Sequence, residues 1–302
     1  MVIYLSYCNT YWLCSGLADL PLDLLIGYCW IIIYDFSLLF MSQKEMSTFV
    51  ELFPISIRKR GNAMVQANVI TSARTDITPD QRRIVHYLLR QIYVKNSWPE
   101  GGTLEINHKS FAAIHNISEQ EARDDLRRAI ADFKGRAIQY SDFHQGVGNF
   151  DSELMEVEID WTIKRESRHK SGTYRITFNP ELKSLLMPLA ALADGISMPF
   201  TVMDELEASK LKLKYSVRLY ESLCQFASTG YFKVKVEDLH DRWKTPASYK
   251  KYSAFRLYIL NKAVAEIRTL HRFSTLTMSE HTNEKGQVTG LSFHFERSQE
   301  LV

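Results

Sequence analysis

Three groups of cationic side chains in this sequence have the spacing of surfaces that hold a polyanion. Arg123 and Arg127, four apart in "SEQEARDDLRRAIADFKG", share one face of a helical pattern with Arg128 beside them. Lys164, Arg165, Arg168 and Lys170 crowd around a lone Glu166 in "KRESRHKSG", which closes on Gly172. Lys250, Lys251 and Tyr252 stand just ahead of a long helical pattern that continues through Arg256, Tyr258 and Lys262. The chemistry that Lys and Arg offer at such spacing is phosphate neutralisation with release of counterions, while Arg and Tyr at the head of a helix also reach base edges.

Each group has a plainer reading. Asp124 and Asp132 lie four residues from Arg128, so the first face also fits a solvated helix laced by Arg–Asp pairs. A charged turn such as 164–172 keeps a hairpin soluble whether or not it touches anything. The third group is the most telling, because no acid adjoins it in sequence and the positive end of the helix dipole adds to its field.

Catalytic chemistry finds little to work with. There is no GxxxxGK[ST] loop for a nucleoside triphosphate and no cluster of His with Tyr for metal-dependent nicking. The acidic "DELE" and "DSELMEVEID" read as a linker and a strand edge. Cys8, Cys14, Cys29 and Cys224 show neither zinc spacing nor a disulfide framework, which fits a reducing cytoplasm. The expectation is a cytoplasmic, non-catalytic protein with no metal, no cofactor and no small-molecule substrate.

The elements that must position these groups become legible at residue 78. "TPDQRRIVHYLLRQIY" opens with Thr78 and Gln81 as a capping box and Pro79 in the first turn, and carries Ile84, Val85, Leu88, Leu89 and Ile92 as one apolar stripe. The strand "TLEIN", the short helix "HKSFAAIH" and a turn at 116–117 follow. The first basic helix comes next, with Ser118 and Glu121 as a second capping box, Ala122, Leu126, Ala129, Ile130 and Phe133 facing inward, and Gly135 as its stop. "LMEVEIDWTI" and "TYRITFN" then flank the basic tip as hairpin strands.

The same order recurs in "KLKYSVRLYESLCQFAS" (buried through Val217, Tyr220, Leu223, Cys224 and Ala227), "YFKVKV", "VEDLHDRW" and "AFRLYILNKAVAEIRTL" (buried through Leu260, Ala263, Val264 and Ile267). A hairpin joined by "EHTNEKGQ" closes this second pass, and there Lys285 is offset by Glu280 and Glu284. Helix, strand, short helix, turn, longer helix, hairpin is the order of a winged helix-turn-helix. Two passes imply an α+β fold of two tandem winged helix-turn-helix domains in pseudo-repeat, over residues 60–192 and 212–297, with a linker over 193–211.

Residues 1–45 differ in kind. They are apolar and aromatic, yet Asp19, Asp23 and Asp35 interrupt them, and "LLIGYCWIIIY" is short of the roughly 20 residues a span needs. No basic start marks a secretory signal. They read as an extension that adds nothing to the fold, with Met41 or Met46 as the native start, and a membrane anchor is the alternative. Residues 44–302 then hold 37 basic against 32 acidic groups, so a polyanion must be held by local patches.

"YSVRLYESL", "YSAFRLYILNKAVAEIRTL" and "EKGQVTGLSFHFE", together with "DITPDQRRIVHYLLRQI" and "GTYRITFNPEL", resemble the iteron-binding plasmid replication initiators, the Rep protein family. The resemblance covers roughly residues 60–297 and is strongest over 212–296. It implies tandem winged helices that bind repeated double-stranded DNA sites at a plasmid origin, help to open it and recruit the host helicase and initiator machinery. It further implies that the C-terminal domain reads sequence near Lys250, Lys251, Arg256 and Lys262. The N-terminal domain would contact DNA in the monomer and mediate self-association into a dimer that represses the initiator's own gene. The second wing is less basic than in that family, and the first 45 residues have no counterpart there. A winged-helix transcriptional regulator without a replication role is the alternative within the same fold.

Overall fold

The computed structural model describes residues 62–142, 155–168, 171–193, 195 and 198–297, so the expectations for residues 1–45 lie outside the described residues. The described part belongs to one compact unit, residues 53–302.

In the first half, β1 (Ala63–Ala67), α1 (Asn68–Ser72) and β2 (Arg74–Thr75) lead into α2 (Pro79–Lys95). The capping box at its head forms: the Thr78 N–H donates to Gln81 Oε1 at 2.7 Å and the Gln81 N–H to Thr78 Oγ1 at 3.2 Å. All five residues of the expected stripe are buried. Then come β3 (Thr103–Asn107), α3 (His108–His115) and α4 (Glu119–Asp132), whose Ser118 cap accepts from the Glu121 N–H at 3.1 Å. Gly135, at φ +67°, lets the chain turn out of α4.

The long strand expected before the basic tip is two strands. β4 (Ala137–Asp142) pairs with β5 (Met155–Asp160) in a sheet with β2, whereas β6 (Thr162–Arg168) pairs with β7 (Thr173–Phe178) in a sheet with β3. Trp161 lies at the change of sheet. Its indole is fully buried and donates to Thr75 Oγ1 at 3.2 Å, while its backbone N–H goes to the Arg136 carbonyl at 2.9 Å.

Two short helices follow, α5 (Lys183–Leu186) and α6 (Pro188–Ala193), with Leu182, Leu185, Leu186 and Met187 buried. The stretch expected to be a linker is structured. β8 (Phe200–Asp204) pairs antiparallel with β1 along its whole length, and α7 (Glu205–Lys210) follows it. The consecutive Thr201, Val202 and Met203 side chains are all buried there, which ties residues 200–210 into the first half.

The second half runs α8 (Lys214–Gln225), β9 (Tyr231–Lys235), α9 (Val236–Arg242), α10 (residues 252–267), β10 (Thr277–Thr282) and β11 (Val288–His294). Its sheet has the order β10-β11-β9. Every residue expected to be buried on α8 and α10 is buried.

The two halves share α8. Arg218 and Glu221, on its inner face, meet Arg82 and His86 of α2 in a cluster in which every side chain is at most 4% exposed. The His86 Nε2–H donates to Glu221 Oε1 at 2.9 Å. Arg218 donates to the carbonyls of Ile70, Thr71 and Ala73 at 3.4, 3.1 and 2.7 Å, and to Glu221 Oε2 at 3.3 Å. Burial alone would raise the Glu221 carboxyl, but Arg82, the His86 hydrogen bond and Arg218 outweigh it and hold it at about 2. One carboxylate thus serves two buried guanidiniums, and Arg82 Nη1 and Nη2 have no hydrogen-bond partner. Such an arrangement ties one domain to the other through charge as well as through apolar contact.

Candidate nucleic-acid interface

The two longer helices that follow the turns, α4 and α10, are packed by one face and open on the other. For α10 the packed face is Phe255, Ile259, Leu260, Ala263, Val264 and Ile267. The helix is α-helical at Tyr252–Phe255 and Asn261–Ile267, with a single π-helical turn at Arg256–Leu260 between them. The wider turn leaves three consecutive residues, Arg256, Leu257 and Tyr258, exposed together, and such turns recur at functional sites.

Lys250, Lys251, Arg256, Tyr258 and Lys262 are all exposed, and Tyr252 is half-buried. The Lys262 ammonium lies 5.9 Å from the Tyr258 ring centroid. The expectation that no acid lies near this group is wrong. Glu280 reaches over from β10, accepting from the Tyr252 hydroxyl at 2.7 Å and pairing with Arg256 Nε at 3.0 Å. Burial, then the hydrogen bond to Glu280 and its charge, raise the Tyr252 hydroxyl, which therefore stays a donor. Glu280 is 28 residues from Tyr252 in sequence and adjacent only through the sheet, so it orients the α10 side chains rather than offsetting Lys285.

The α4 face is more self-contained. Arg127 pairs with Asp124 at 3.1 Å, and Arg128 pairs with Asp125 rather than with the expected carboxylates of Asp124 and Asp132. Arg123 is half-buried, and its carbonyl accepts from the Tyr174 hydroxyl at 3.1 Å. Two of the three arginines thus spend their charge locally, whereas at the head of α10 and along it Lys250, Lys251, Arg256 and Lys262 have Glu280 as the one carboxylate paired among them, through Arg256.

The basic hairpin is also rearranged relative to expectation. Lys164 and Arg165 are strand residues of β6, opposite Thr177 and Ile176, and stand back from the tip by about 3.3 Å per residue. Lys164 pairs with Glu166 at 3.1 Å and Arg165 donates to Thr162 Oγ1 at 3.1 Å. Arg168 ends β6 opposite Thr173, while its side chain and the whole of Lys170 lie outside the described residues. The hairpin is anchored at Gly172, whose carbonyl accepts from the backbone N–H of His108 at 3.1 Å and from its Nδ1 at 2.9 Å. Gly172 has φ +62°, and a Cβ there would sit 2.2 Å from His108 Nδ1. Only glycine fits.

Sequence reasoning missed Leu257, 55% exposed between two expected contacts, and the acid Glu280. A leucine breaking the polar face of an amphipathic helix was the available signal for the first. The second had none, because it depends on strand register. Among the described residues no group of three His, Cys, Asp or Glu is placed to hold a metal ion, and no helix is long and apolar enough to cross a membrane.

Comparison with known proteins places the family and the fold. A family model described as the WH1 domain of the initiator replication proteins matches residues 63–224, more than half of the chain, and the WH2 model of the same initiators matches residues 235–295. The first match runs through α8, the helix that both halves share. An uncharacterised 27.6 kDa protein of Escherichia coli is 25% identical over 195 residues, covering 62% of this chain and 76% of that protein. The crystal structure of the Pi initiator protein in complex with iteron DNA superposes with a TM-score of 0.63 at 17% identity, over 80% of this chain and 99% of that one. Domains 2 and 3 of RctB give a TM-score of 0.41 at 12% identity, over 74% of this chain and 85% of theirs.

Proposed function

The chain belongs to the initiator replication protein family, with both of its winged-helix domains, and from that premise we propose that it initiates plasmid replication by binding repeated double-stranded DNA sites, iterons, at the origin. The observation that carries this reading is the exposed side of α10, where Lys250 and Lys251 lead into Arg256, Tyr258 and Lys262 on a helix of the kind that enters the major groove. Arg256 and Tyr258 address base edges, Leu257 suits a thymine methyl, and the lysines address phosphates. Arg123, Arg127 and Arg128 of α4 and the Lys164–Lys170 hairpin make the weaker, sequence-independent contacts of the first domain.

The domain roles follow from this division: residues 212–297 read sequence, and residues 60–192 contact DNA in the monomer and carry self-association. The bound protein opens the origin and recruits the host helicase rather than catalysing either step, and its dimer represses its own gene. No nucleoside-triphosphate loop in the sequence argues otherwise. DNase footprinting on the DNA flanking the coding sequence tests the proposal. Protection of short direct repeats spaced by whole helical turns supports initiation. Protection of one inverted repeat at a promoter alone would point to a transcriptional regulator.

A further inference from the structure

Beside the head of α10 lies an open groove of about 900 Å³. One wall is Arg74 of β2 and Gln139 of β4; the other comes from Lys235, His240, Lys244 and Lys250. Tyr252 at the start of α10 and Thr289 at the foot of β11 also line it, so the groove continues the surface that α10 presents.

Its charge is of one dominant sign. Lys235, Lys244 and Lys250 form no ion pair with a described residue. Of the two carboxylates that line it, Asp241 is drawn to Arg74 Nε at 3.4 Å, while Arg74 also pairs with Glu156 at 2.6 Å. Glu237 remains as the one carboxylate set against three free ammonium groups.

One of the three lysines also has an unusual backbone. Lys244 follows the C-terminus of α9 in the left-handed region, at φ 44°, with its N–H bonded to the Asp241 carbonyl at 3.0 Å. Glycine is the low-strain residue at that position, so lysine there costs some backbone strain.

We propose that this groove seats the phosphodiester backbone of the duplex whose bases α10 reads, with Lys235, Lys244 and Lys250 as its phosphate contacts. The proposal rests on the DNA-binding reading above. It is tested by fluorescence anisotropy of the full chain on a labelled repeat and on a scrambled duplex, each titrated across a series of salt concentrations. Lys244→Gly is expected to melt at or above the wild-type temperature, because it relieves the left-handed strain. It is also expected to flatten the plot of log affinity against log salt by about 0.9, and Lys235→Gln by about the same. Each loss amounts to roughly five-fold in affinity at 0.15 M salt, and the same factor applies to repeat and scrambled DNA. Lys95→Gln, which changes the same charge outside the groove, leaves the slope as it was. Wild-type slopes in both groove variants, or an equal drop in the Lys95 control, would overturn the groove while leaving the function of α10 intact. A wild type that bound no duplex would overturn both.

Discussion

Replacing Glu221 by glutamine keeps the shape of the buried cluster and removes its only negative charge. Arg82 and Arg218, 3% and 4% exposed, are then left without a carboxylate inside the protein. Breaking a buried pair in this way costs about 3–5 kcal/mol. The lower end applies here, because Arg218 keeps three backbone carbonyls and Arg82 keeps the Trp161 ring at 6.0 Å. The pH dependence gives a second route to the magnitude. The folded-state value of Glu221 is depressed from 4.5 to about 2, so its contribution is complete above the unfolded value and is lost as pH falls between the two. A depression of that size corresponds to about 3 kcal/mol, in agreement with the first route. In a unit of this size each kcal/mol lowers the melting temperature by about 2–4 °C, so Glu221→Gln is expected to melt about 6–12 °C lower at neutral pH. Thermal melts followed by circular dichroism at pH 7, and urea midpoints from pH 5 down to pH 2, measure both effects. The acid-side decline of the wild type is expected to shrink in the variant. A melting point within about 2 °C of wild type, with an unchanged acid limb, would refute the view that this cluster joins the two halves.

Three other outcomes are expected. Burial raises Glu205 to about 7 against the pull of Arg90, so the folded protein holds a proton that the unfolded chain has lost, and stability falls as pH rises from 4.5 to 7; Glu205→Gln removes up to about 3 kcal/mol of that decline, read from urea midpoints at pH 5 and 8. Gly172→Ala brings a methyl group into the buried His108 ring and is expected to cost about 1–3 kcal/mol, seen as a lower melting temperature, with weaker binding to all DNA sequences alike. Arg256→Ala is expected to lose about 1–3 kcal/mol on a repeat and much less on scrambled DNA, which competition binding distinguishes.

Local signals carried much of the fold. The stripes of α2, α4, α8 and α10 and the box at Thr78 are set by residues a turn apart, and each formed as the pattern implied. What escaped depends on contacts between distant residues. The pairing of β1 with β8 joins residues 63–67 to 200–204, and no local pattern in a proline-rich stretch announces it. Nothing local marks Arg218 and Glu221 as buried, because their partners lie on α2 and on the backbone of residues 70–73, more than 130 residues away. At the candidate interface the cationic residues of α10 were legible from their clustering at a helix head. Glu280 was not, since only the register of β10 places it over Arg256. In the basic hairpin, Lys164 and Arg165 lie in a strand rather than at the tip, because the chain changes sheet at Trp161.

The most direct test of the account is the ratio of affinities for a repeat from the flanking DNA and for a scrambled duplex of the same length and composition, measured by anisotropy near physiological salt. A protein that reads sequence through α10 is expected to prefer the repeat by about a thousand-fold or more. Equal affinity for the two duplexes would contradict it.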